Sequence, residues 1–353
     1  MASPRVDNRT DFVVHPQVIL DRDGEKLACI VKATAECAST LGGAVEIAPK
    51  ARRRPVRLAD VPWGEPEKSS IAYPADLCVR KAATDVVVVA RAHAPGGRPI
   101  QTIDVYVGVG PLRKALQVHG LRVWERDGMG ISAPRPIAQL EMRYDFAWGG
   151  FDDSDAEHPV EEARNPVGMG VARDPKTLTD LQAPHIDDPA APLKTWRTRP
   201  PPAGVGPVGR HWEPRRRYIG TYDERWKEMR APLPPEDQDD RHNQCASPGL
   251  IADPPLAGGE EVRLLNLVPE GGPTTFALPR IALEIEFRVK DREPEVFRPH
   301  LDTVLIDLLG LRPRQPVAIE MVWRAAVRAP RQVQEARVVV REVLWTRGGA
   351  TRS

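Results

Sequence analysis

The stretch QTIDVYVGVG (101–110) decides how this chain folds. Ile103, Val105, Val107 and Val109 fall on one side of an extended strand, and Asp104, Tyr106 and Gly108 fall on the other. Side chains alternate across a strand, so the pattern predicts one buried and one wet face, as in antiparallel sheets. The last quarter repeats it. Ile281, Leu283, Ile285, Phe287 and Val289 alternate with Ala282, Glu284, Glu286 and Arg288. Val317, Ile319, Met321 and Trp323 alternate with Ala318, Glu320 and Val322, and 338–344 reads as a closing strand. Toward the other end, 18–20 and 27–31 flank Asp21-Arg22-Asp23-Gly24, a hairpin signal. DVVVVARA (85–92) is a short β-branched run, and a further strand is expected over 115–124. No strand–helix–strand rhythm appears, which disfavours a doubly wound α/β fold. The expected class is mainly β: antiparallel, sandwich-like sheets with long proline-rich ordered loops and a few short helices.

The middle of the chain differs. Residues 156–260 hold 17 of the 37 prolines, too many for a central sheet to absorb. The same segment carries Trp196, Trp212, Tyr218, Tyr222 and Trp226, residue types that disordered linkers lack. It reads as ordered loops clamped onto the sheets by aromatic anchors. Thr221-Tyr-Asp-Glu224 has the form of a capping box, and Pro232 stops the helix it would start. Tyr222, Trp226 and Met229 then share one helical face, a stripe expected in the core. The chain divides into an N-terminal β half (10–155), the proline-rich region (156–260) and a C-terminal β half (261–346), or forms one continuous domain over 10–345.

The 353 residues carry 50 Lys and Arg against 49 Asp and Glu, a formal charge of +1. A net basic face for phosphate binding is not supplied globally, so nucleic acid is not expected as a partner. No run reaches the ~18 apolar residues of a membrane span. The start, MASPRVDNRTDF, lacks the apolar run of a secretory signal, so a cytoplasmic protein with no membrane contact is expected. Cys29, Cys37, Cys78 and Cys245 are scattered without a CxxC pair, which argues against a zinc knuckle or redox motif.

Chemistry-bearing motifs are sparse. VGVGPLRK (107–114) matches neither phosphate-loop pattern and reads as a strand ending in a turn. NPVGMG (165–170) reads as a turn in which Gly168 and Gly170 take positive backbone angles. His300 and Asp302 stand two apart and would share a strand face, as an acid–base pair, two metal ligands or a structural hydrogen bond. His15, His119 and His242 are candidate third ligands that spacing does not place. Asp237, Asp239 and Asp240 lack the closing Glu of a calcium loop and read as a solvated acidic turn. No GxSxG elbow is present. Arg52 to Arg54 read as a solvated loop. Arg215, Arg216 and Arg217 lie between Trp212 and Tyr218, where an Arg either stacks on a ring or meets an acidic partner.

Residues 212–246, WEPRRRYIGTYDERWKEMRAPLPPEDQDDRHNQCA, resemble the signature region of the DUF2169 family. Other pieces arrive in family order. KAATDVVVVARAHAPGG (81–97) and KALQVHGLRVW (114–124) are followed by AWGG (147–150), with Trp148 where the family has Phe, then Gly149 and Gly150. NPVGMG supplies Asn165, Pro166, Gly168 and Gly170. GTYD and the Trp after it supply Gly220, Thr221, Tyr222, Asp223 and Trp226. FALP (276–279) follows, then PHLDTVLID (299–307) with His300 and Asp302, and VWRAAV (322–327) with Trp323 and Arg324. The resemblance covers about 10–345. Gln238 stands where the family pattern has Phe between two aspartates.

What the resemblance implies is a non-enzymatic adaptor or chaperone of the bacterial type VI secretion system, with no cofactor and no metal. Its partner would be a secreted effector, often one with a PAAR spike-tip domain, or the spike protein itself. The family-motif residues are expected to be structural, and Trp212 with Arg215, Arg216 and Arg217 to be surface contacts. The alternatives are a metal-dependent hydrolase centred on His300 and Asp302, and a structural component of a contractile injection particle.

Overall fold

The computed structural model describes residues 5–37, 45–289, 292–312, 315–328 and 336–346. The first four residues of the N-terminal stretch read above lie outside the described residues. Strands of the three larger sheets are numbered here in chain order. They are β1 (Arg5–Asn8), β2 (Val13–Asp21), β3 (Gly24–Cys37), β4 (Val45–Ile47), β5 (Thr84–Val89), β6 (Thr102–Val109), β7 (Leu112–His119) and β8 (Ile186–Asp187). Then follow β9 (Ile251–Ala252), β10 (Glu261–Leu265), β11 (Pro273–Ala277), β12 (Arg280–Val289), β13 (Glu295–Phe297), β14 (Leu301–Asp307), β15 (Val317–Arg328) and β16 (Ala336–Thr346).

The fold is mainly β, as the alternation predicts. A seven-stranded sheet runs β9-β5-β14-β15-β3-β2, with β4 also pairing β3. All its pairs are antiparallel except β5 with β14. A five-stranded antiparallel sheet runs β8-β7-β6-β10-β11, and a four-stranded sheet runs β1-β16-β12-β13. Strands from both ends of the sequence meet in the seven-stranded sheet, where β3 pairs β15 from Lys26 to Cys37. The hairpin expected at Asp21–Gly24 forms, with Asp21 opposite Gly24. The strand expected over 115–124 begins earlier, at Leu112, and ends at His119.

One large apolar core joins the inner faces of the sheets. Val86, Val88, Ile103, Val107, Val109, Ile285, Val304, Ile306, Ile319 and Met321 are all sealed in it. The proline-rich middle packs onto this core rather than trailing from it. Val88 N–H donates to Val205 O at 3.0 Å, so irregular backbone satisfies an edge of β5, and Val208 N–H donates to Cys245 O at 2.8 Å, joining two parts of the loop region. A smaller core of Trp124, Trp148, Leu178, Ala183 and Leu193, with Trp196 against it, holds the loops after β7.

The sheet's second face departs from the sequence expectation. Glu320 and Val322 were expected on a wet face, yet both are buried. Lys32, Asp85, Thr303 and Arg324 are buried as well. Residues 48–83 and 244–247 cover this face, so the alternation there separates an apolar core from a buried polar layer, not from water. Among the described residues no helix is long and apolar enough to cross a membrane.

Candidate functional site

Four of the family stretches, those around Lys81, Gln244, Asp302 and Arg324, converge in that buried polar layer. Lys81, in the approach to β5, donates from Nζ to Asp85 Oδ2 at 2.6 Å and to Thr303 Oγ1 at 3.0 Å. Asp85 also accepts from Gln244 Nε2 (3.0 Å) and from the backbone N–H groups of Cys245 (2.8 Å) and Ala246 (3.1 Å). Burial disfavours the Lys81 ammonium, but the Asp85 carboxylate outweighs it and holds the amine above its usual value. Burial likewise pushes against the Asp85 charge, and Lys81 with the two N–H donors holds it below the usual carboxylate range.

A second group lies further along the same face. Lys32 bridges Asp76 (2.7 Å) and Glu320 (2.6 Å), and Arg57 forks onto Glu320 at 3.0 and 2.5 Å. Arg324 pairs Asp302 and donates twice to the Asp76 carbonyl, at 3.1 and 2.8 Å. Asp76 stays below its usual range: burial opposes the charge, and Lys32 and Arg57 outweigh burial. Each carboxylate here is balanced by a cation, and both groups are buried except for Arg57, which is part-exposed at the edge. The layer locks segment 48–83 and the 244–247 turn to the sheet.

His300 and Asp302 do not form a pair. His300 is exposed before β14, while Asp302 points inward to Arg324 and accepts from Thr303 Oγ1 at 2.8 Å. A bulge between Leu301 and Thr303 shifts the register there, so two-residue spacing no longer means a common face. Among the described residues no three His, Cys, Asp or Glu side chains are grouped to hold a metal. The acidic turn is internally engaged. Asp237 accepts from the Thr221 N–H (3.0 Å) and hydroxyl (2.7 Å), Asp239 from the Arg241 N–H, and Asp240 pairs Arg80.

The glycine motifs build one turn. Asn165 donates from its carboxamide to Tyr144 O (2.8 Å) and Trp148 O (3.0 Å). Gly149 has φ +151°, and a Cβ there would stand 2.2 Å from Asn165 O. Gly170, at φ +104°, lets the Trp148 ring lie against the backbone, and Gly150 and Pro166 complete the turn; Gly168, also expected at a positive angle, does not take one, and is needed instead for close approach, since a Cβ there would stand 2.8 Å from Ala147 O.

The expected contact cluster divides. Trp212 and Arg215 are each only 7% exposed, which corrects their placement at the surface. Trp212 packs edge-on against Tyr144 at 5.7 Å and covers Gly209. Arg215 donates to Val208 O (2.7 Å) and His242 O (3.0 Å), closing the loop from inside. Arg216 and Arg217 are exposed, Arg217 pairing Glu213 at 2.8 Å. The ring of Tyr218 carries Arg241 at 4.3 Å rather than any of the three.

The short helix also differs from expectation. It spans Glu224–Met229 (α1) and is capped by Asp223, which accepts the Trp226 N–H at 2.7 Å, so Thr221 and Glu224 form no capping box. None of its residues is buried. Tyr222 is 50% and Met229 80% exposed, and Trp226 is half-buried with its indole N–H on Leu233 O. The stripe expected in the core is therefore on the surface. Arg230 fixes the helix by donating to Pro234 O and to Arg22 O, and Arg22 returns a hydrogen bond to Gln238 O. Gly220, at φ +87° against Pro235, makes the entry turn.

A family model described as an uncharacterized protein conserved in bacteria, DUF2169, matches residues 22–324. The chain belongs to the DUF2169 family. Comparison with curated proteins and with solved structures finds no match.

The buried polar layer of this DUF2169 protein includes members that sequence reasoning passed over: Lys32, Arg57, Asp76, Lys81, Asp85 and Glu320. A signal was present. Lys32 is the lone charge in LACIVKATA (27–35), Asp85 abuts four valines, and Glu320 interrupts VAIEMVW (317–323). A charge inside an otherwise apolar run is buried and must find a partner. His119, a candidate ligand in the sequence, sits in a different group. His119 meets Thr102 Oγ1 at Nδ1 (3.0 Å) and Asp187 at Nε2 (3.2 Å). The order hydroxyl–imidazole–carboxylate is that of a nucleophilic triad, but Arg122 at 2.7 Å already balances Asp187, and the group staples β8 to the β6–β7 pair.

Proposed function

We propose that this protein is an adaptor, or chaperone, that binds a type VI secretion effector, such as one carrying a PAAR domain, and helps mount it on the secretion spike. The reading places it in the cytoplasm, with a polypeptide as partner and no bond made or broken.

The observation that carries the reading is the surface around α1. Tyr222 and Met229 stand out in solvent, with Arg216 and Arg217 exposed nearby in sequence and Leu20 45% exposed on the β2–β3 hairpin. Large apolar and aromatic side chains that a fold leaves outside, rimmed by Arg, match the composition of protein-binding hot spots. Arg230 and Arg22 hold this surface on the sheet, so little ordering entropy is lost on binding. The kind of partner is taken from the resemblance set out above.

The test is co-expression with the product of an adjacent effector or spike gene. The expected result is a complex that survives moderate salt and is weakened by Met229→Glu and Tyr222→Ala in folded protein. Failure to bind any neighbouring effector or spike protein counts against the reading.

A further inference from the structure

A cleft of about 460 Å³ opens between β7 and the proline-rich loops. Its size is that of small-ligand pockets. Pro189, Pro201, Pro202, Pro214 and Pro248 form rigid walls, and Tyr144 contributes to the lining. Lys114 stands among them.

Lys114 is out of keeping with its strand. It shares its side of β7 with Leu112, Leu116 and Val118, the row that faces the apolar core. An ammonium in such a row calls for a counter-charge. Instead Nζ donates to two neutral oxygens, Ser247 Oγ at 2.5 Å and Pro248 O at 2.7 Å. The serine is fixed for this task. It donates its own proton to Gly204 O (2.7 Å), so it accepts from Lys114 and from the Tyr144 hydroxyl (2.7 Å). Two of the three ammonium protons are placed, and among the described residues Lys114 forms no ion pair.

The other charges facing the cleft are largely committed. Arg164 pairs Glu162 at 2.6 Å, and Glu213 pairs Arg217. Asp188 accepts the Ala190 N–H in its own turn, at 2.8 Å. Arg113 donates only to the Gly110 and Leu112 carbonyls. Among the described residues Asp188 has no cation within ion-pair distance and it favours the Lys114 charge, so Arg113 and Lys114 against this one carboxylate leave one positive charge in excess on an apolar, rigid frame.

We propose that this cleft binds a carboxylate attached to an apolar body, with Lys114 as its counter-ion and the proline walls as its seat. The site is independent of the adaptor reading, since it lies against β7 and not at α1. Two sources share the chemistry: a small amphiphilic acid and the C-terminus of a polypeptide. Burial pushes the Lys114 amine down to about 8, against a smaller opposing pull from Asp188. A bound carboxylate favours the protonated amine, so affinity falls as pH rises through about 8.

The test is titration of the whole protein with hexanoate, and with the tripeptide Ala-Pro-Leu as free acid and as C-terminal amide. Saturable binding of either acid, with the amide and hexanol inert, is expected. Lys114→Met should weaken it roughly tenfold or more, and Lys114→Arg should keep it within a few-fold. Hexanoate binding alone assigns a small acid, and binding of the free peptide acid assigns a chain terminus; either supports the site. In the unmutated protein the Lys114 ε-carbon resonance should move with the acid and not with hexanol. No saturable binding of either acid, affinity unchanged in Lys114→Met, or a resonance that does not move overturns the proposal.

Discussion

Lys81 Nζ lies 2.6 Å from Asp85 Oδ2 and 3.0 Å from Thr303 Oγ1, so one buried ammonium ties the start of β5 to a motif 222 residues further along the chain. Asp85 in turn carries the backbone of Cys245 and Ala246. The proline-rich region is thereby fastened to the sheet at its far end by a carboxylate, and at residue 205 by a backbone hydrogen bond from Val88 in β5; the Val208 N–H bond to Cys245 O joins two parts of the region itself.

Asp85→Ala should therefore cost about 3–5 kcal/mol, the range for breaking one side of a buried ion pair. The urea midpoint should fall at unchanged slope. The double variant Lys81→Met, Asp85→Leu should recover only part of this. It removes the uncompensated charge but leaves the Cys245 and Ala246 N–H groups without their acceptor, each worth about 1–3 kcal/mol when buried. Full recovery would show that the backbone bonds contribute little.

Acid should unfold the protein through the same layer. Asp76 and Asp85 are held below their usual value in the fold. A depressed carboxylate contributes stability that is present above its unfolded value, about 3.9, and is lost as pH falls below it. Asp307 runs the other way, because burial raises it. The two depressed groups outnumber it, so stability measured by denaturant should decline steeply below about pH 4. A flat profile from neutral pH down to pH 3 would contradict the assignment.

Much of the fold was legible because period-two alternation is a direct consequence of strand geometry. The rows Ile103–Val109 and Ile281–Val289 are buried as read. The hidden polar layer was not legible from alternation, because a strand charge looks the same whether it meets water or a partner from a loop. Lys32 and Glu320 become buried only because segment 48–83 folds over them, and that is a tertiary fact. Trp212 and Arg215 were misplaced for a related reason. Trp and Arg are typical of contact surfaces, yet an Arg donating to two carbonyls serves equally well as an internal loop brace. The α1 stripe failed in the opposite sense. Helical spacing gives a face, and with six residues the helix is too short for its face to dictate burial.

Asn165→Ala should destabilise by several kcal/mol, since it orphans the buried carbonyls of Tyr144 and Trp148. Gly149→Ala should be comparably severe, because the new Cβ meets the Asn165 carbonyl and cannot relax against backbone. Thermal melts of both variants check this, and a Gly149→Ala melt equal to the parent would rule out the turn geometry.

The thiols of Cys29 and Cys245 are pushed up to about 12 by burial. Neither should react with a maleimide in the folded protein at neutral pH, and both should react on unfolding. Mass spectrometry after a short pulse reads this directly.

The most direct test of the central claim is titration of the purified protein with the effector encoded beside it, comparing the parent with Tyr222→Ala and Met229→Glu. Both positions are exposed, so stability should stay within about 0.5 kcal/mol of the parent. A saturable complex with the parent, weakened at least tenfold by Met229→Glu, is the predicted result. No complex, or one of equal affinity in both variants, would contradict a protein-binding surface at α1.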